Sequence, residues 1–354
     1  MAFHLGCLRA LHDLGLLERV GALSTISGGS VIGAYYAYTP QKTFTEFESD
    51  IRAFLQTGFQ RSILVELAKP SNLFRCFETF VRAQSEEKLA LIAKRKPTFQ
   101  RSLSRTDMFA NVLEQKMFSG LTMTSARRHG MELVIGACEL RTGSAFRFGN
   151  SKCGSWRHGE MATPDVAVAF AVAASAAYPV FLPALDRTFE FIKSGERKKH
   201  RVLLTDGGVY DNLGIQVLEP GRDPGISLHT FPCNYLIACN AGQGQEWTDG
   251  MTLGFMTRVA RSFEIVHRRV QDSTMHRLHH LNEAGLIKGF ALPYLGQLDN
   301  RLPWKPPQLV PRGDVVNYPT DFAAMDKMWI DKLSNRGEQL TRLLVGHYLG
   351  DALM

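Results

Sequence analysis

Two residues far apart in the chain have the types and neighbours that chemistry requires. One is Ser27 in "STISGGSVIGAYY" (24–36); the other is Asp206 in "RVLLTDGGVYDNLGI" (201–215). A serine followed by Gly28 and Gly29 suits a nucleophile on a sharp strand-to-helix turn. Such a turn lifts the hydroxyl clear of the sheet, and the helix N-terminus directs positive charge at the reacting atoms. The pentapeptide departs from G-x-S-x-G at its first position, where Thr25 stands, and keeps its last glycine, Gly29. A serine nucleophile needs a base. Asp206 closes an apolar run and is followed by Gly207 and Gly208. Because ligands of open α/β sheets gather at the carboxyl ends of strands, both residues are expected to end strands on the same edge of the sheet. The plainer alternatives are that Ser27 caps the next helix and that Asp-Gly-Gly is an ordinary turn. Ser30 falls inside the helix start and reads as structural. Asp211 and Asn212 are expected to fix their loop through side chain to backbone bonds.

The elements that must position these residues follow from periodicity. "AFHLGCLRALHDLGLL" has apolar residues at helical spacing and a glycine, Gly15, suited to its end. "RVGALSTI" (19–26) reads as a buried strand and "SVIGAYYAY" as a helix closed by Pro40. This rhythm predicts an α/β fold with a buried, mostly parallel central sheet. Residues 41–128 show helical spacing in "TFTEFESDIRAFLQT", "SEEKLALIAKR" and "TDMFANVLEQKMF", and predict a helical insertion packed on the sheet. Strands are expected at "MELVIGACEL" (131–140), "SAFRFGN" (144–150), "RVLLT" (201–205), "NYLIACNA" (234–241) and within "LIKGFALPYL". Helices are expected over 163–177, with Pro164 near the start, over 251–281, and from Met325 to Tyr348. In the 251–281 helix, Phe255, Val259, Phe263, Val266 and Val270 share one side. Residues 303–319, rich in proline, are expected to be a loop.

The 354 residues, 45% hydrophobic and 21% charged, are those of an ordinary globular chain, here expected to form one domain over 1–354. A charge of +7 is concentrated at Lys94-Arg95-Lys96, Arg127-Arg128, Arg197 to Arg201 and Arg268-Arg269. Such clusters suit solvated faces or an anionic lipid surface. No nucleic-acid module signature accompanies them, so nucleic acid is not expected as a partner. Six dispersed cysteines at 7, 76, 138, 153, 233 and 239 have no metal-like spacing and fit a reducing compartment. No apolar run is long enough to span a bilayer, and the first residues have neither the charged leader nor the cleavage site of a signal peptide. The expected location is the cytoplasm, with peripheral membrane contact.

Three blocks together resemble the patatin-like phospholipases and acylhydrolases: "STISGGS", "AASAAYPVFLPAL" (173–185) and "LLTDGGVYDNLG" (203–214). The opening helix is also similar to the first helix of that family. The resemblance implies a three-layer α/β/α fold and a Ser-Asp dyad without a catalytic histidine. Ser27 would be the nucleophile and Asp206 the base, forming an acyl-enzyme from a lipid acyl ester such as a phospholipid, with no metal or cofactor. The family also has a strand and a glycine-rich oxyanion loop before its first helix, whereas Met1 stands where that loop should end. This predicts a chain shortened at its N-terminus, with the Gly28 N–H left as an oxyanion donor. A version longer by roughly 15 to 40 residues, the reach of a strand and a loop, would then be the more active esterase. Two rival readings remain: a catalytically degenerate lipid-binding or scaffold protein, and a Ser-His-Asp esterase using His229 or His267. "HRLHH" (276–280) lacks an accompanying carboxylate motif and reads as a solvated helix face.

Overall fold

The computed structural model describes residues 1–94, 98–179, 181–244, 254–319 and 322–350, excepting the side chains of Glu87, Met256, Ala260 and Phe263. Arg95 and Lys96 of the first basic cluster therefore lie outside the described residues, as do 251–253 at the start of the expected long helix and the Phe263 side chain. The chain opens with α1 (Ala2–Asp13), which buries Phe3, Leu5, Cys7 and Leu11 and ends just before Gly15, at φ +67°. A left-handed residue just past a helix end is a position glycine adopts without strain. Strand β1 (Ala22–Ile26) then turns abruptly into α2 (Gly28–Tyr38).

Helices α3 (Phe44–Thr57), α4 (Gln60–Ala68), α5 (Pro70–Ile92) and α6 (Arg105–Leu113) follow, the last continuing into a π-helical turn over Glu114–Phe118. Helix α3 starts at a capping box in which Thr43 and Glu46 satisfy each other's backbone N–H groups. The expected helical stretch thus contains α3 to α6, and no strand among its described residues.

Strands β2 (Glu132–Glu139), β3 (Ser144–Gly149), β4 (Cys153–Ser155) and β5 (Gly159–Met161) lead to α7 (Val168–Ser175). The helix is shorter than expected. Pro164 lies ahead of it, its carbonyl accepting the Val166 N–H. Strands β6 (Leu185–Lys193) and β7 (Glu196–Asp206) form a hairpin through Ser194-Gly195, both at positive φ, as a two-residue turn of matching twist requires. The basic run Arg197 to Arg201 therefore lies on a strand. Strand β8 (Tyr235–Ile237), α8 (Phe255–Glu283), β9 (Gly289–Ala291) and α9 (Lys327–Tyr348) complete the chain.

Among the described residues, β1 to β7 form one sheet in chain order, with β7 returning to pair with β2; β8 and β9 form a second, two-stranded sheet. The fold is α/β with a mixed central sheet flanked by helices. Among the described residues, the β1–β2 and β8–β9 ladders are parallel and the other ladders antiparallel. This is less parallel pairing than the helix–strand rhythm implies, because from β2 to β7 most strands are joined by short turns and only α7 intervenes.

Helix α1 crosses α9 with almost no gap. A Cβ on Gly6 would lie 1.7 Å from the Ser334 carbonyl oxygen, and one on Gly337 2.1 Å from that of Phe3. Arg336 is fully buried one residue away. Its guanidinium donates to the carbonyls of Leu295, Gln297 and Val310 and to Asp299, pinning the loop after β9 beneath α9.

Candidate active site

Strand β2 is the ruler on which the site is assembled. Running parallel to it, β1 ends with Ile26 opposite Gly136. Running antiparallel, β7 ends with Asp206 opposite Ala137. The other edge of β2 is occupied by β3 from Val134 to Glu139, a span that overlaps both stretches. Strands β1 and β7 therefore share one edge of β2 and meet head-on, carboxyl end to carboxyl end. Ser27 and Asp206 both follow or end strands at one place on that edge, reached from opposite directions. The antiparallel run of β7 is the reason.

At this junction the Ser27 Oγ donates to Asp206 Oδ2 at 2.6 Å. The hydroxyl does not cap α2: no side-chain cap bond is made from Ser27. Ser27 sits at φ 53°, ψ −127°, a backbone conformation L residues seldom adopt. A buried hydroxyl holds it there. Ser175, the last residue of α7, accepts the Ser27 N–H at 3.0 Å and donates to the Gly136 carbonyl at 2.6 Å. Its single proton being committed to Gly136, Ser175 receives that of Ser30 at 2.8 Å. Two residues on, the Ala177 carbonyl accepts from the Asp206 N–H and the Thr205 hydroxyl. The end of α7 thus clamps both strand ends and the ruler between them. Ser175 was not singled out by sequence reasoning as a functional residue, although it lies in the block "AASAAYPVFLPAL".

Asp206 is buried, and its other oxygen accepts the Gly208 N–H at 2.7 Å. Burial pushes its carboxyl up from 3.8 to about 6, against the opposing pull of the Ser27 and Gly208 hydrogen bonds. The two glycines after it are steric requirements. A Cβ on Gly207 would lie 2.2 Å from the Gly136 carbonyl oxygen, and one on Gly208 2.8 Å from Asn212 Oδ1. Asp211 fixes the following loop, accepting from the N–H groups of Gly214 and Gln216.

Gly28 and Gly29 form the first turn of α2, whose N–H groups have no acceptor within the helix. A Cβ on Gly28 would meet nothing within 4 Å, so there is open space in front of that turn. The space belongs to a cavity of about 1360 Å³ lined by Ser27, Asp206 and many apolar side chains, among them Phe54, Phe59, Tyr178, Phe231 and Phe322. The edges of β1 and β8 both line it. So does His267, whose Nε2 would lie 3.3 Å from a Cβ on Gly208. Burial lowers the His267 pKa. His229 is elsewhere, buried against Gly149 with Nε2 2.9 Å from the Lys152 carbonyl oxygen, and burial lowers its pKa to about 4. The direct contact between hydroxyl and carboxylate leaves no imidazole between them. His276 and His280 are exposed on α8, and no group of three or more metal-ligating side chains occurs among the described residues.

A family model described as patatin-like phospholipase matches residues 1–218. No curated protein matches the chain. Among solved structures, VipD from Legionella pneumophila aligns with a TM-score of 0.38 at 11% identity, over 98% of this chain and 65% of that one. The chain thus spans less than two thirds of the length of that neighbour.

Proposed function

The chain belongs to the patatin-like phospholipase family, and from that premise we propose that it hydrolyses lipid acyl esters, with Ser27 as nucleophile and Asp206 as general base. The observation that carries this reading is the 2.6 Å hydrogen bond between the two side chains in the wall of a largely apolar cavity. A carboxylate with a pKa near 6 is ionised at neutral pH yet basic enough to accept a proton in the transition state. As Ser27 Oγ bonds to the acyl carbon, its proton passes to Asp206. The carbonyl oxygen takes up negative charge at the N-terminus of α2, where the Gly28 N–H donates to it. Collapse breaks the ester bond, and the departing alcohol leaves with the proton held by Asp206. Water then attacks the acyl-Ser27 ester, again losing a proton to Asp206; the bond from the acyl carbon to Ser27 Oγ breaks, Oγ takes that proton back from Asp206, and the fatty acid is released. The cavity is larger than most small-molecule sites and its apolar lining suits an acyl chain, which supports a phospholipid or lysophospholipid substrate.

A fluorophosphonate probe with a lipid-like chain tests the reading. Wild type should be labelled, and Ser27→Ala should not be. Turnover of a phospholipid ester should fall at least about a thousandfold in Ser27→Ala and Asp206→Asn. Replacement of His229 and His267 by alanine should leave labelling in place; its loss would favour a histidine-dependent esterase. No labelling of a folded wild type would favour a lipid-binding protein without turnover.

A further inference from the structure

Helix α8 borders the cavity on one side and is open to solvent on another. Glu264 and His267 line the cavity. Phe255, Val259, Val266 and Val270 are 70%, 49%, 62% and 38% exposed. At 3.6 residues per turn these four fall within an arc of about 60°, turned away from the cavity-lining pair by roughly a quarter to under half a circle. Arg258 and Arg269 border the other flank of the arc, with Arg261 and Arg268 beyond them. Between 255 and 271 the helix has four arginines against one acidic residue, Glu264, which pairs with Arg261 at 3.1 Å.

An apolar stripe with a cationic flank is the pattern of a helix that lies in the plane of a bilayer, its apolar side among the acyl chains and its arginines among anionic headgroups. We propose that the N-terminal half of α8 is a docking helix for an anionic lipid surface, and that it holds the cavity it helps to line beside the bilayer. The second part rests on the lipid-ester reading; the docking itself does not. The charge balance selects the occupant. Helix α5 also exposes apolar side chains, Leu73, Phe74, Phe77 and Phe80, but Arg75, Arg82 and Lys88 are matched there by Glu78, Glu86 and Glu87. It therefore serves as the internal control.

Co-flotation with vesicles of phosphatidylcholine, with and without phosphatidylglycerol, tests the proposal. Wild type should bind the anionic vesicles and be released by salt. Substituting Phe255→Ser, Val259→Ser, Val266→Ser and Val270→Ser together should abolish binding while hydrolysis of a soluble short-chain ester persists, which also reports that the variant folds. Arg258→Gln, Arg268→Gln and Arg269→Gln should each weaken binding about fivefold, the effect of one cation near such a surface. Ser27→Ala should bind as wild type does, so that a failure of the catalytic reading leaves this result intact. Equal binding to both vesicle types would overturn the proposal. So would binding lost on Phe74→Ser with Phe77→Ser but kept in the α8 variants. A dimer that the α8 substitutions dissociate would assign the stripe to a second copy of the chain instead.

Discussion

At the scale of single residues, the site costs the fold stability in two places. The first is Asp206. Its carboxyl holds a proton in the folded chain up to a pH of about 6, whereas unfolded it releases that proton near 3.8. The folded state binds more protons in between, so stability falls as pH rises through that window and is level above it. The difference amounts to roughly 3 kcal/mol. Asp206→Asn should therefore melt higher than wild type at pH 7, converge with it near pH 4, and lose activity. For the same reason the kcat/KM of wild type should rise with pH to a plateau, half-maximal near pH 6; a profile flat from pH 4 to 8 would disqualify Asp206 as the base. The second place is the Ser27 backbone, held in its unfavourable conformation by Ser175. Ser175→Ala strips the Ser27 N–H and the Gly136 carbonyl of a partner, at about 1 to 3 kcal/mol for each buried group left unsatisfied. Lower kcat at unchanged KM should accompany the loss of stability, since the substrate cavity is untouched.

At the scale of elements, the strands that carry Ser27 and Asp206 were legible because each is a short apolar run halted by glycines. The helical character of 41–128 was legible from the spacing in the segments that became α3, the end of α5 and α6, whereas α4 was not marked separately. What the sequence concealed was direction. An apolar run such as "RVLLT" has the same pattern whichever way its neighbours run, so nothing local marked β7 as antiparallel. Strand β6 was missed because its alternation, Phe189 and Phe191 between polar residues, is interrupted by charge, although Ser194-Gly195 was a usable hairpin signal. Strands β4 and β5, three residues each, are too short for any period to register. The α1–α9 crossing was likewise invisible, since a glycine in a helix does not announce which backbone approaches it. Gly6→Val and Gly337→Val should each force the helices apart and lower the melting temperature markedly, although valine is the better helix former by a few tenths of a kcal/mol. Gly346→Ala, in the same helix with open space at its Cβ, should be neutral or stabilising.

At the scale of the whole molecule, the cavity draws its walls from α1, β1, α2, α3, β8 and the stretch before α9, so filling it ties distant parts of the chain together. A non-hydrolysable alkyl ligand should raise the melting temperature of Ser27→Ala with the logarithm of its concentration, about 2.7 kcal/mol at a hundredfold excess over Kd. No helix among the described residues is long and apolar enough to cross a membrane. The head-on meeting of β1 and β7 has a kinetic consequence. Ser27 and Asp206 are 179 positions apart, and β2, the template that aligns them, lies between. Closure over so long a span belongs to the slow, late events of chain organisation. Refolding molecules should regain helical circular dichroism well before they turn over any ester, and catalytic competence should return in step with the slowest phase.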